Sequence, residues 1–218
     1  MNTIFVCLAN SKKYGERCIA GVKLQQGRDG YSVLIEDDKP KWIRPVSHSE
    51  HGEVEERLVK NIHLLDIVEI DVIKECPKGY QSENVEFDRN SIKVLSRIQL
   101  SAENLDMLTD KTSTTIFGNR GKAVHMDDIP FQTNSLCFIK AGDVRCYYKT
   151  DYGKKQLRAK FKFGNIEYNL PITDVNFIED FGNNNNLLDS AKDIYLTLSL
   201  GVKYREFHYK LIAGVIYM

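Results

Sequence analysis

The stretch Asp143–Thr173, DVRCYYKTDYGKKQLRAKFKFGNIEYNLPIT, reads as three strands separated by two glycine-bearing turns. Within it, LRAKFKF alternates Arg158, Lys160 and Lys162 with Ala159, Phe161 and Phe163. Side chains of a strand point to opposite faces in turn, so this alternation gives one cationic face and one apolar face. A sheet with one wet face and one core face is the pattern of an antiparallel barrel or sandwich.

The same texture extends in both directions. TIFVCLA, RCIAGVKL, YSVLIE, KWIRPV, LLDIVEIDVI and SIKVLSRI precede it, and SLCFIKA, DIYLTLSL and HYKLIAGVIYM surround or follow it, each bounded by Gly, Asn, Asp or Pro. Helix signals are few. Ser101 is placed to N-cap SAENLDMLTD, GEVEERLVKN offers a short acidic-to-basic turn, and FGNNNN, Phe181–Asn186, reads as a polar loop. The expectation is a mainly β chain of two consecutive small barrels, residues 1–100 and 112–218, with 101–111 as a connecting helix. No repeat of fixed period is visible in the sequence.

Thirty basic and thirty acidic side chains cancel over 218 residues, but unevenly. Residues 1–110 carry 15 basic and 19 acidic groups, whereas residues 111–218 carry 15 and 11, so an anionic partner is expected on the second half. Its densest part, Arg145–Lys162, holds seven basic residues against Asp151, with Tyr147, Tyr148, Tyr152 and Phe161 between them. A row of cations tracks phosphates and neighbouring rings stack on bases, which makes Tyr147, Arg158, Lys160 and Lys162 candidate ligand-binding residues.

KWIRPV supplies two further candidates. Alternation puts Trp42 and Arg44 on one side of the strand, where the guanidinium can stack or meet an anion. Pro45 has no N–H for a ladder, so the strand is expected at an edge or ending there.

Hydrophobic residues at 42% and charged residues at 28% describe a globular protein without a membrane-length apolar run. The start, MNTIFVCLANSKK, has too short an apolar run for a signal peptide, and a cytoplasmic location is expected. Five cysteines without CxxC spacing read as reduced, packed thiols. No GxSxG, HExxH, P-loop or GxGxxG is present, His48 and His51 read as a solvated loop, and His63, His125 and His208 as surface or hydrogen-bonded residues. No catalytic residue, metal ligand or cofactor is therefore expected. In LLDIVEIDVI, Glu69 and Asp71 share a strand face and Asp66 takes the other, which reads as an alternating strand with its polar face in water.

The chain resembles a family of bacterial and phage-associated dual OB-fold proteins. The resemblance rests on CLANSKKYGERCIAG (Cys7–Gly21), WIRPVS (Trp42–Ser47), LLDIVEI (Leu64–Ile70), YQSEN (Tyr80–Asn84), LRAKFKFGNIEYNLPITD (Leu157–Asp174) and the terminal LSLG and HYKLIAGVI, in order along nearly the whole length. YREFHYK departs from the acidic, proline-containing turn usual for the family after LSLG. The resemblance implies two OB-like barrels and a nucleic-acid-binding or ligand-sensing module in defence against invading DNA.

Three functions follow as expectations. The first is a non-catalytic module for single-stranded DNA or RNA, with a protein partner compatible and no membrane. The second is a sensor for a small phosphorylated or modified nucleotide gripped between the barrels by Ser11, Arg17, Arg44 and Arg158. The third is a metal-dependent nuclease using Glu53, Asp66, Glu69 or Asp174.

Overall fold

The structure, a computed structural model, describes all residues except Asp29, Glu50, Thr112 and Tyr152, together with the side chains of Lys13 and Asp151. The ring of Tyr152, the carboxylate of Asp151 and the expected boundary at Thr112 thus lie outside the described residues.

The first half runs through β1 (Asn2–Lys13), β2 (Glu16–Gly27), β3 (Gly30–Val33), the two-residue pair β4 (Ile35–Glu36) and β5 (Lys39–Pro40), β6 (Trp42–Val46), α1 (Glu56–Val59), β7 (Asp66–Glu75), β8 (Asn84–Phe87) and β9 (Lys93–Arg97). After α2 (Ala102–Leu108) come β10 (Ala123–His125), β11 (Leu136–Asp151), β12 (Lys154–Phe163), β13 (Ile166–Pro171), α3 (Val175–Asn183), β14 (Ile194–Tyr204) and β15 (Phe207–Tyr217). The fold is mainly β, as the alternation requires.

In the first half β1 pairs with β2, β2 with β6, β6 with β8, β8 with β7, and β7 with β1 again, so five strands close on themselves. Of these contacts only β6 to β8 is parallel. The second half repeats the order: β12 lies between β11 and β13, and β14 between β11 and β15. A parallel bridge from Ile172 to Ile212, just past β13, brings the sheet round onto β15. α1 and α3 occupy the same place in each unit, after its third strand. The repeat that the residues conceal is thus a repeat of topology.

Each unit buries its own core. Phe5, Cys7, Ile19, Ile43, Val68 and Ile70 fill the first, and Leu157, Ala159, Phe161, Tyr168, Leu170 and Leu196 are among those filling the second. A further apolar layer joins the two, in which Val6, Leu8, Val22 and Leu24 meet Phe138, Tyr195 and Ile216, with Leu105 and Leu108 of α2. The backbones come close enough here that a Cβ on Gly214 would lie 2.2 Å from the Leu8 carbonyl oxygen.

Three local readings change. β6 is not an edge strand and does not end at Pro45, because it runs between β2 and β8 to Val46. The ring is tolerated because pairing with β2 stops at Ile43, whereas Arg44 still donates its N–H to the Glu83 carbonyl at 2.8 Å on the β8 side. SLCFIKA and DVRCYYKT are one 16-residue strand, bent by an irregularity between Gly142 and Arg145 with Asp143 at φ 51. The part up to Ala141 pairs with β14 and the part beyond pairs with β12. Finally, Phe181, Gly182 and Asn183 belong to α3, so the loop read from Phe181 starts at Asn184. Asp174 caps that helix by accepting the Phe177 N–H at 3.2 Å, and the i, i+4 pair Phe177 and Phe181 faces the core.

The five cysteines are free, with Cys7 and Cys137 buried and their thiol pKa values pushed up by that burial. Among the described residues no helix is long and apolar enough to cross a membrane.

Candidate nucleic-acid interface

The alternation in LRAKFKF survives in three dimensions. Leu157, Ala159 and Phe161 are buried, Lys160 and Lys162 are exposed and Arg158 is half-buried. Directly opposed residues of an antiparallel pair share a face. Arg145 faces Lys160 and Tyr147 faces Arg158 on one side of β12, while Asn169 faces Lys160 and Glu167 faces Lys162 on the other. Lys149 and Lys154 continue the same outer face toward the β11–β12 turn. The outer side of β11, β12 and β13 is thus a cationic surface over an apolar barrel wall.

Its central arginine is steered by neutral groups. Arg158 donates to neutral acceptors, the Asn169 Oδ1 and carbonyl oxygens at 3.0 and 2.7 Å and Gln156 Oε1 at 2.9 Å. Asn169 in turn donates to the Tyr147 hydroxyl at 2.7 Å, which fixes that ring beside the guanidinium. Lys162 pairs with Asp143 at 2.7 Å, and the hydrogen bond between them holds the Asp143 carboxyl below its usual range and raises the Lys162 ammonium. Both partners are largely solvated, so a phosphate can compete for the lysine.

Ser11, Arg17, Trp42 and Arg44 lie elsewhere. Arg17 is buried and held on both Nε and Nη2 by Glu56 at 2.9 and 2.5 Å, which keeps that carboxylate below its ordinary pKa. Trp42 packs half-buried against the apolar layers between the two units. Arg44 is 2% exposed. Its Nη2 donates to Ser135 Oγ at 2.7 Å and lies 3.0 Å from Glu83 Oε1, and Ser135 Oγ also donates to that carboxylate. Arg44 is thus a buried cross-link between the halves. Ser11 and Arg44 line the same cleft, whereas neither Arg17 nor Arg158 lines it.

That cleft lies where the β1–β2 turn approaches the β14–β15 hairpin. One cavity of about 340 Å³ includes Ser11, Lys12, Cys18, Thr173 and Tyr209, and an adjoining one of about 460 Å³ includes His51, Lys78, Tyr80, Asn84, Lys203 and His208. His208 Nδ1 sits 2.9 Å from both the Tyr80 hydroxyl and the Gly201 carbonyl, and burial pushes the Tyr80 phenol up to about 12. Sequence reading did not single out Tyr14, Lys78, Tyr80 or Lys203. Tyr14 carries the clearest available signal, a bulky ring before Gly15 at a hairpin turn where Asn-Gly is the preferred pair.

Three of the four carboxylates proposed for a nuclease, those of Asp66, Glu69 and Asp174, are held in contacts within the fold. Asp66 is buried and accepts the His63 N–H at 2.8 Å, and Glu69 pairs with Lys93 at 3.3 Å. Asp174 caps α3 with one oxygen and accepts the Val215 N–H at 2.9 Å with the other, and burial pushes its carboxyl up to about 6. Glu53 lies in the segment between β6 and α1, where its carbonyl accepts the Ser47 and Ser49 hydroxyls. Among the described residues no group of three or more His, Cys, Asp or Glu side chains is placed to hold a metal.

Comparison with curated proteins finds no match. Among solved structures, the tetrameric p202 HIN2 crystal structure is similar at 10% identity and TM-score 0.30, covering 100% of this chain and 92% of that one. A structure described as the molecular basis for abrogation of activation of pro-inflammatory cytokines is similar at 10% identity and TM-score 0.32, with the same coverage. Neither likeness is close enough in shape to bear on function. The profile of the dual OB-containing domain matches residues 4–215, in accord with two five-stranded units of one topology. The chain belongs to the dual OB-containing domain family.

Proposed function

We propose that this protein binds single-stranded nucleic acid across the outer face of β11, β12 and β13. The carrying observation is that Arg145, Lys149, Lys154, Arg158, Lys160 and Lys162 share that face with Tyr147, while Glu167 opposes Lys162. OB barrels use the face of their second and third strands for oligonucleotides, and β12 and β13 are those strands in the second unit. The strand-binding unit in this reading is residues 112–218, with 1–100 as its companion barrel and 101–111 as the connector. Asp66, Glu69 and Asp174 are engaged in hydrogen bonds and an ion pair within the fold, and the proposed reading assigns them no role in binding.

The test is filter binding of a single-stranded oligonucleotide at several salt concentrations, comparing the parent with the Arg158→Ala/Lys160→Ala/Lys162→Ala triple variant. Each lost phosphate contact removes about 0.7 from the slope of log K against log salt for a single strand, so the variant should bind more weakly with a slope shallower by about 2. Its melting temperature should stay near that of the parent, since the three side chains lie outside the core. Equal affinity and equal slope would remove the reading.

A further inference from the structure

The cleft between the two barrels has a composition unlike the rest of the surface. Its two cavities share Tyr14, Arg44, Gln81 and Val202, so they form one continuous recess. Among the described residues, no aspartate or glutamate lines either cavity, while Lys12, Lys78 and Lys203 do, and the charge of Arg44 in the wall is met by Glu83 behind it. The cavity beside Trp42 mixes both signs, with Glu36, Asp37, Glu75, Glu83 and Asp110 in its wall beside Lys39 and Lys41. In a chain with equal numbers of acids and bases, the three lysines of this lining put positive charge at a concave site.

A flat surface accompanies the charge. Tyr14 stacks on His51 with centroids 4.2 Å apart and planes at 29°, and Tyr14 remains 61% exposed. Its backbone is left-handed at φ 49, followed by Gly15 at φ 90, a turn that favours Asn or Gly at the first position and penalises a bulky ring. A side chain held against its local preference at the mouth of a recess points to a use for the ring. Behind it, Tyr80 and His208 pack edge to face at 4.7 Å and form a rigid inner wall. Arg44 Nε and Asn84 Oδ1 have no hydrogen-bond partner within the protein, so the wall is not a self-satisfied polar network.

We propose that the inter-barrel cleft binds a nucleoside phosphate, its base stacked on Tyr14 and its phosphate held by Lys12, Lys78 and Lys203. The two cavities, about 340 and 460 Å³, have the volume of a small-molecule site. Stacking calls for a planar ring system, and the lysines of the lining call for an anion; a nucleotide supplies both. The nucleotide is either free or the terminal residue of a strand, since both present the same base and phosphate. The site uses different strands from the outer face of the second barrel and stands independently of that reading.

Isothermal titration with AMP, GMP, CMP and UMP tests the proposal, with ribose 5-phosphate as the probe lacking a base. At least one mononucleotide should bind saturably, and ribose 5-phosphate should bind more weakly by about 5- to 150-fold, the contribution of one stacked base. Tyr14→Asn should weaken mononucleotide binding by a similar factor while leaving the melting temperature unchanged or raised, because asparagine suits the turn. Lys203→Ala should weaken binding and flatten its salt dependence. The Arg158→Ala/Lys160→Ala/Lys162→Ala variant should bind mononucleotide as the parent does, even if it has lost oligonucleotide. Competition by a 5′-phosphorylated tetranucleotide identifies a strand end as the source, and failure to compete identifies the free nucleotide. No saturable binding of any mononucleotide at millimolar concentration would overturn the proposal. So would equal binding of ribose 5-phosphate, indifference to both Tyr14→Asn and Lys203→Ala, or loss of mononucleotide binding in the triple variant.

Discussion

Arg44→Ala removes the cation from an ion pair whose side chains are 3% and 2% exposed. Glu83 would keep the Ser135 hydroxyl as a donor but would lose the guanidinium at 3.0 Å. Breaking a buried pair from one side costs about 3–5 kcal/mol, because the remaining charge is left uncompensated. A chain of this size loses about 2–4 °C of melting temperature per kcal/mol, so the variant should melt roughly 6–20 °C below the parent. An arginine displayed on the surface to grip a ligand would give a change within about 0.5 kcal/mol. Urea denaturation of the parent, Arg44→Met, Glu83→Gln and the double variant closes a double-mutant cycle. Removing both charges should recover at least about 2 kcal/mol relative to Arg44→Met, since the side-chain amide introduced by Glu83→Gln would still accept from Ser135 without a buried charge. If Arg44→Ala is as stable as the parent, Glu83 is solvated and the cross-link does not hold the halves together.

The pH dependence of stability should expose Asp174. Burial raises its folded pKa from 3.8 to about 6, so its contribution is complete below the unfolded value and is lost as pH rises through about 6. Relative to Asp174→Asn, the parent should lose about 2 kcal/mol between pH ~4 and pH ~7 in denaturation experiments, and a flat difference would contradict the burial argument. Gly214→Ala should destabilise the protein by at least about 1–3 kcal/mol in a thermal melt, because the new methyl would meet the Leu8 carbonyl at 2.2 Å and backbone cannot step aside.

The strands were legible because their information is local. Alternation in LRAKFKF is a property of seven consecutive residues, and the burial of Leu157, Ala159 and Phe161 follows it. α3 was harder to read: FGNNNN looks like a loop by composition, yet its first three residues complete a helix anchored by Phe177 and Phe181 on the core. The cleft was not legible as a whole. Ser11 and Arg44 were selected for it, but Arg44 is bonded to a residue 91 positions away, and Arg17 is occupied by Glu56. Which strand face meets solvent and which meets the other barrel depends on packing that no short segment records. Tyr14 shows the same limit, since a tyrosine before a glycine becomes informative only once its φ of 49 and the recess beneath it are known.

The repeated topology has a consequence for stoichiometry. β1, β2 and β6 of the first unit correspond to β11, β12 and β13 of the second, so the chain carries two copies of the outer face that OB barrels offer to a strand. A tandem of equal sites would gain avidity of about 10²–10⁴ over either alone. Here the first copy consists of Val6, Leu8, Val22, Leu24 and Trp42, packed with Phe138, Tyr195 and Ile216 of the second barrel. Only the second copy carries Arg158, Lys160 and Lys162 and meets solvent. One of the two topologically equivalent surfaces is thus the seam that holds the pair together. In the reading proposed above, each chain presents a single outer face of this kind, and oligonucleotide should bind that face one to one without avidity between barrels.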